Sequence, residues 1–116
     1  MVYMAESVSL AVLENLVHMT RVDFPAGYIV VTATIPDRVR ILTDADVASR
    51  FGALGEKQIG DRWIDSLASA VLQVRSAVVS LEHIYLLNPS HPDFSAIKVG
   101  KPVPFLFDDR LLRPRQ

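Results

Sequence analysis

The chain has 116 residues, half of them hydrophobic, with 12 basic and 13 acidic side chains and a formal net charge of −1; that is enough chain for one domain with a true core, and too apolar for a disordered segment. No basic stripe precedes the last few residues, which disfavours nucleic-acid binding. The absence of cysteine removes disulfides, thiolate chemistry and cysteine-based metal sites together, and makes the cytoplasm the expected home.

Residues 3–18 are read as the organising helix. From Val8 to Met19 the sequence is apolar almost all round, the mark of a helix packed on several sides. At 100° per residue, Ser7, Ala11, Glu14 and His18 fall on one stripe. Burying a carboxylate is costly unless it is paired, so Glu14 should face a polar partner or a ligand cavity. Ser7 fits an N-cap, which puts Tyr3 at the mouth of the helix. Glu6 and Glu14 interrupt the apolar run well short of a membrane span, and no basic residue precedes it as in a signal peptide. A soluble protein without a membrane partner is expected.

Residues 20–27, with Pro25 and Gly27, read as a loop. Tyr28 to Ile35 is rich in β-branched residues and is expected to be a central strand covered on both faces at one end. Pro36 and Asp37 turn the chain into a second strand, Arg38 to Leu42, with one wet face and one dry. Thr43 and Asp44 cap a short helical turn running to Arg50, and Gly52 and Gly55 then loosen the chain. From Glu56 to Ser69, Ile59, Trp63, Ile64 and Leu67 recur at helical spacing, predicting an amphipathic helix packed through Trp63 with Gly60 as its weak point. Ala70 to Arg75 is a strand, which Ser76 to Val79 either continues past a bulge or leaves for a loop. Glu82 to Leu87 is the next strand. Residues 88–94 hold Pro89 and Pro92 and are expected to lack regular structure. Residues 96–99 and 104–107 read as a terminal hairpin about the turn at Gly100 to Pro102, followed by a basic tail at 113–116.

Standard catalytic signatures are missing. There is no glycine-rich phosphate loop, no HExxH and no GxSxG, and His18, His83 and His91 are too scattered for a metal site. His91 reads as a loop hydrogen-bonder and Trp63 as core. Arg75 beside Ser76, at a strand end, is where a phosphate or hydroxyl contact could occur, although arginines there are usually just solvated. Composition and periodicity alone stop at a soluble mixed domain of helices and strands with one misplaced glutamate.

Tyr3-Met-Ala-Glu-Ser7, then Ala11-Val-Leu-Glu14 and Val17-His18, resemble the opening helix of the RES domain family, the toxin half of RES–Xre toxin–antitoxin pairs. Gly60-Asp-Arg-Trp63, Val74-Arg-Ser-Ala-Val-Val79 and Tyr85-Leu-Leu-Asn-Pro-Ser-His-Pro-Asp-Phe94 resemble later motifs of the family in the same order, as do Pro104 to Asp108 and Arg110 to Leu112. The likeness spans nearly the whole chain, and its Asn-Pro-x-His-Pro-Asp-Phe string is its most specific part.

The resemblance implies an α+β fold, a mixed and mainly antiparallel sheet with flanking helices, similar to ADP-ribosyltransferases, with residues 1–116 forming a single RES-type domain. It implies an enzyme that consumes NAD as substrate, without a metal, by splitting the nicotinamide–ribose bond as a phosphorylase or glycohydrolase. The catalytic residues it implies are Glu14, Tyr3 and Ser76, and the NAD contacts Tyr3, Ser7, Ser76 and Asn88. The implied partner is an Xre-type antitoxin; a second copy of the chain could also cover exposed apolar surface. Members of the family carry, before this tyrosine, an arginine in a Gly-Gly-Arg-Trp context. That arginine is absent here, so the domain is expected to be incomplete at its amino end, and losing such a charged clamp costs about 1.5–3 kcal/mol. His83-Ile84 also replaces a Trp-Asn pair. Two alternatives stay open: an ADP-ribosyltransferase that modifies a protein, and an inactive remnant that binds the antitoxin.

Overall fold

Two strands in the second half of the chain form the centre of the structure, a computed structural model that describes residues 1–18, 28–52 and 55–112. Eight strands are described: β1 (Val2–Ala5), β2 (Tyr28–Val30), β3 (Ala33–Thr34), β4 (Ile41–Thr43), β5 (Val71–Arg75), β6 (His83–Leu87), β7 (Lys98–Val99) and β8 (Val103–Phe105). The helices are α1 (Val8–His18), α2 (Asp44–Phe51) and α3 (Glu56–Ser66). The main sheet has the order β1-β6-β5-β4, with β5 antiparallel to β6, β6 antiparallel to β1, and β4 parallel to β5. Parallel neighbours need a crossover, and α2 with α3 supplies it. The result is the expected α+β arrangement of a mixed, mainly antiparallel sheet with flanking helices.

The two-residue period of the strands sorts their side chains onto two cores. On one face Leu42, Leu72 and Leu86 pack with Val47 of α2 and Trp63 of α3. On the other, Val71 and Leu87 pack with Val39, Ala70 and Ile97. A cross-strand hydrogen bond from Gln73 Nε2 to Tyr85 Oη, 2.8 Å, ties β5 to β6 on that second face.

Local chemistry explains α2 and α3. Thr43 Oγ1 accepts from the Asp46 N–H at 3.1 Å while Asp46 Oδ2 accepts from the Thr43 N–H at 2.9 Å, a reciprocal capping box. These bonds, the one from the Thr43 backbone foremost, hold the Asp46 carboxyl below its ordinary value. A depressed carboxyl stabilises the fold at pH values above its unfolded-state range, and that contribution fades as pH falls through the folded value. Thr43→Ala removes the hydroxyl that caps α2 and should cost about 0.5–2 kcal/mol at neutral pH. In urea titrations the gap from wild type should narrow in acid; a gap that stays constant would show the cap to be uncoupled from the carboxylate. In α3 the predicted helix forms but stops at Ser66, because Leu67 turns left-handed (φ 53°) to close it.

Four expectations need correction. Residues 28–35 are not one central strand: β2 and β3 are short, lie outside the main sheet and pair with β8 and β7. The terminal hairpin does not form either, since β7 and β8 pair back to β3 and β2 instead of to each other. Between the two pairings residues 31–32 face residues 100–102, a bulge. Gly100 donates its N–H to Thr32 O at 2.7 Å, and a Cβ on it would lie 2.7 Å from Thr32 Oγ1. Glycine is what allows the ribbon to close there.

The third correction concerns α1. It begins where Ser7 predicts, with Ser7 Oγ accepting from the Leu10 N–H at 3.0 Å, but Tyr3 lies on β1 and not at the start of the helix. Leu10 is fully buried, whereas Val8, Leu13 and Val17 are exposed. The helix runs beside the edge strand β1, so only one of its sides meets the core. The expected 88–94 irregular stretch is partly regular: Pro92–Ala96 forms a 3-10 helix, with Pro92 at its first turn, where a missing N–H is harmless, and His91 Nδ1 accepting from the Asp93 N–H at 3.0 Å. The loop expected at 20–27 and the basic tail at 113–116 lie outside the described residues.

Candidate active site

Three polar ties fasten α1 to the turn that joins β5 to β6. Ser7 Oγ donates to Glu82 Oε1 at 2.8 Å. Glu6 Oε1 accepts from the His83 backbone N–H and lies 3.1 Å from His83 Nδ1. The third tie joins residues 62 positions apart in the chain: Ser76 Oγ donates to Glu14 Oε1 at 2.9 Å.

The direction of that last bond follows from counting protons. Ser76 Oγ accepts the backbone N–H groups of Val78 at 3.1 Å and Val79 at 2.9 Å. A hydroxyl with both acceptor positions filled has a single hydrogen left to give, and Glu14 receives it. Ser76 is buried and its own N–H bonds to Glu82 O at 2.9 Å, so the donor is rigid. Glu14 is half-buried, and among the described residues its second oxygen has no hydrogen-bond partner. One oxygen is thus clamped and the other is uncommitted among the described residues.

Glu14 lines a cleft of about 870 Å³ whose floor is the sheet face carrying Leu72, Val74, Ile84 and Leu86, with Tyr3 at one end and α3 as the far wall. This volume lies in the range of about 300–1,000 Å³ usual for small-molecule sites. Tyr3 is 69% exposed, so its ring is available to a ligand. On the register, Tyr3 faces Leu86, which faces Leu72. Ser76 is thus about 13 Å farther along the strand direction, and the two residues bracket the cleft. The charged residues on the lining are Glu14, Asp44, Glu56 and Asp61 against Lys57 and Arg75.

The remaining expected contacts fall elsewhere. Ser7 lines a second cleft, on the other side of β1, and its hydroxyl is spent on Leu10 and Glu82. Asn88 is 1% exposed at the opposite end of the β5–β6 pair from Ser76; its N–H bonds to Ala70 O and its Oδ1 accepts from the Ser90 N–H at 3.0 Å. That is loop-holding work inside the fold. The side chain of His18 lies outside the described residues. Sequence reading missed Glu82, Glu6 and His83 as the anchors of α1, since pairs 75 and 77 residues apart leave no local pattern. Among the described residues, no group of three or more His, Asp or Glu side chains is placed to hold a metal ion, and no helix is long and apolar enough to cross a membrane.

Comparison with known proteins places the chain in a family. The family model described as the RES domain matches residues 1–108. The chain is 36% identical over 122 residues to the Prs ADP-ribosylating toxin of Sphingobium sp. (strain YBL2), covering 97% of this chain and 74% of that protein. It is 33% identical to a protein named Toxin Res from Yersinia enterocolitica, over 95% of this chain and 76% of the other. A Toxin Res of Photorhabdus laumondii is 34% identical, over 99% and 78%. The chain belongs to the RES domain family. Its α+β fold is the ADP-ribosyltransferase-like arrangement that the resemblance implied.

Proposed function

We propose that this chain is an NAD-consuming toxin domain that breaks the bond between nicotinamide and ribose at the Glu14 cleft, acting as an NAD phosphorylase or glycohydrolase. The observation that supports it is the Ser76-clamped carboxylate of Glu14, half-buried and with one oxygen unpartnered among the described residues, in a cleft that also holds Tyr3. When the C1′–N bond breaks, its electron pair leaves with nicotinamide, which departs neutral, and positive charge develops on the ribose. A fixed carboxylate beside that charge stabilises the transition state more than the ground state. Ser76 acts through Glu14 as a positioning residue, and Tyr3 offers a ring face for nicotinamide or ribose. Water or phosphate then attacks C1′, giving ADP-ribose with release of a proton, or its 1-phosphate. No step requires a metal.

A second reading changes only the acceptor, to a side chain of a target protein. It is favoured by the name of the Sphingobium relative, an ADP-ribosylating toxin. In either case an Xre-type antitoxin would be the partner that restrains the domain. Incubation of purified protein with NAD, with and without phosphate, followed by chromatography of nicotinamide and ADP-ribose products, tests the first reading. Free nicotinamide is expected; NAD left intact after prolonged incubation would refute turnover. Labelled NAD with cell lysate separates the two acceptors, because only transfer leaves label on a protein band. Co-purification with an Xre-type protein, or its failure, tests the partner.

A further inference from the structure

The second cleft, the one that Ser7 lines, is bordered by two strand edges. Among the described residues β1 ends the main sheet and β2 pairs with β8 alone. Unbroken runs of both strands, Tyr3 to Ser7 and Tyr28 to Ala33, line this one cleft of about 710 Å³. A strand face shows every second residue, so an unbroken run marks an edge. We propose that the cleft is a docking site for an uncharged, extended peptide strand of a partner protein, which adds to β1 and β2 through backbone hydrogen bonds.

Hydrogen-bond alternation fixes which groups are available. In an antiparallel pair, every second residue turns its N–H and C=O to the neighbouring strand, and the residues between turn theirs away. Glu6 donates its N–H to His83 O at 3.1 Å, so two and four positions earlier Met4 bonds to Tyr85 and Val2 to Leu87. Tyr3 and Ala5 therefore direct their N–H and C=O groups to the outer edge. On β2, Ile29 opposes Pro104, which has no N–H to give, so Tyr28 and Val30 carry the bonds to β8 and Ile29 turns its own pair away.

Size and charge define the occupant. With a rise of about 3.3 Å, a strand spacing of about 4.8 Å and a sheet thickness of about 10 Å, one strand residue fills about 160 Å³, so the cleft holds about four or five. Exposed edges are ordinarily blunted by lysine or proline. β1, Val-Tyr-Met-Ala, and β2, Tyr-Ile-Val, contain neither. Among the described residues the charged side chain on the lining is Glu6, and its carboxylate is already engaged by the His83 N–H and ring. Such walls suit a neutral strand with apolar side chains.

Amide exchange followed by NMR on the whole chain, alone and with a blocked hexapeptide of alternating threonine and valine, tests the proposal. Millimolar peptide should slow exchange at Tyr3, Ala5 and Ile29 at least tenfold and leave Met4, already bonded to β6, unchanged. The same peptide N-methylated at alternate residues should lose the effect, a control that needs no variant. Ala5→Pro removes an N–H aimed at the cleft and no bond to β6, so the unfolding midpoint should hold while peptide affinity falls about tenfold. No protection at millimolar peptide, equal binding of the methylated peptide, or equal affinity of a folded Ala5→Pro protein would overturn the proposal. Protection of Tyr3 and Ala5 without peptide would overturn it too: a concentration-dependent dimer would give the edge to a second copy, and protection at every concentration would give it to this chain itself.

Discussion

Glu14→Gln is expected to lower nicotinamide release from NAD by about 10²–10³-fold, the usual cost of removing one fixed electrostatic stabiliser of a transition state. Glutamine keeps the shape of the side chain, and its carbonyl oxygen still accepts the Ser76 hydroxyl that now lies 2.9 Å from Glu14 Oε1. What is lost is the negative charge beside the ribose. The fold should survive, because the tie from α1 to the β5–β6 turn persists and two further ties, Ser7 to Glu82 and Glu6 to His83, do not involve residue 14. Unfolding midpoint and turnover measured on the same preparation separate the two effects. Unchanged turnover would make the carboxylate a bystander, and collapse of the fold would make it a structural anchor.

Trp63→Ala should cost about 3–5 kcal/mol of stability, the largest expected effect of any single truncation here. Trp63 is fully buried between Leu42, Val47, Leu72 and Leu86. Its Nε1 donates to Ser69 Oγ at 2.9 Å, and Ser69 Oγ donates to Val71 O at 2.7 Å, so the indole also pins α3 to the start of β5. Removing it leaves a cavity and strips a buried hydroxyl of its donor. Trp63→Phe retains most of the apolar bulk and should cost clearly less. Urea denaturation of both variants measures this; a loss below about 1 kcal/mol for the alanine variant would mean that the site collapses around the gap. Because α3 walls the Glu14 cleft, the alanine variant should also bind ADP-ribose more weakly than its residual folded fraction accounts for.

Local rules made half of this architecture readable. The Thr43 cap, the Ser7 cap, the helix carrying Trp63 and the strands on either side of Ser76 each depend on residues within a few positions of one another. What stayed hidden depends on partners far away in sequence. The apolar run at 28–35 looked like a central strand because composition reports burial and not position in a sheet. Its kink is imposed by Gly100 and Thr32, 68 positions apart. Likewise β7 and β8 look like a hairpin until β3 and β2 take their hydrogen bonds. The all-round apolar α1 was expected to be enclosed, yet the edge position of β1 leaves Val8, Leu13 and Val17 exposed. At the site, the stripe through Ser7 and Glu14 pointed to both residues but not to their different fates, one on Glu82 and one on Ser76. The resemblance paired Glu14 with Ser76; the hydrogen bond between them gives that pairing a geometry.

The most direct test is a double-mutant cycle on nicotinamide release with Glu14→Gln, Ser76→Ala and the combined variant, each checked for folding. If Ser76 acts by holding the Glu14 charge in place, its removal should slow wild type markedly yet cost the Glu14→Gln protein almost nothing further, a strongly non-additive cycle. Losses that simply add would show the two side chains to work independently, and the clamped carboxylate would no longer account for cleavage.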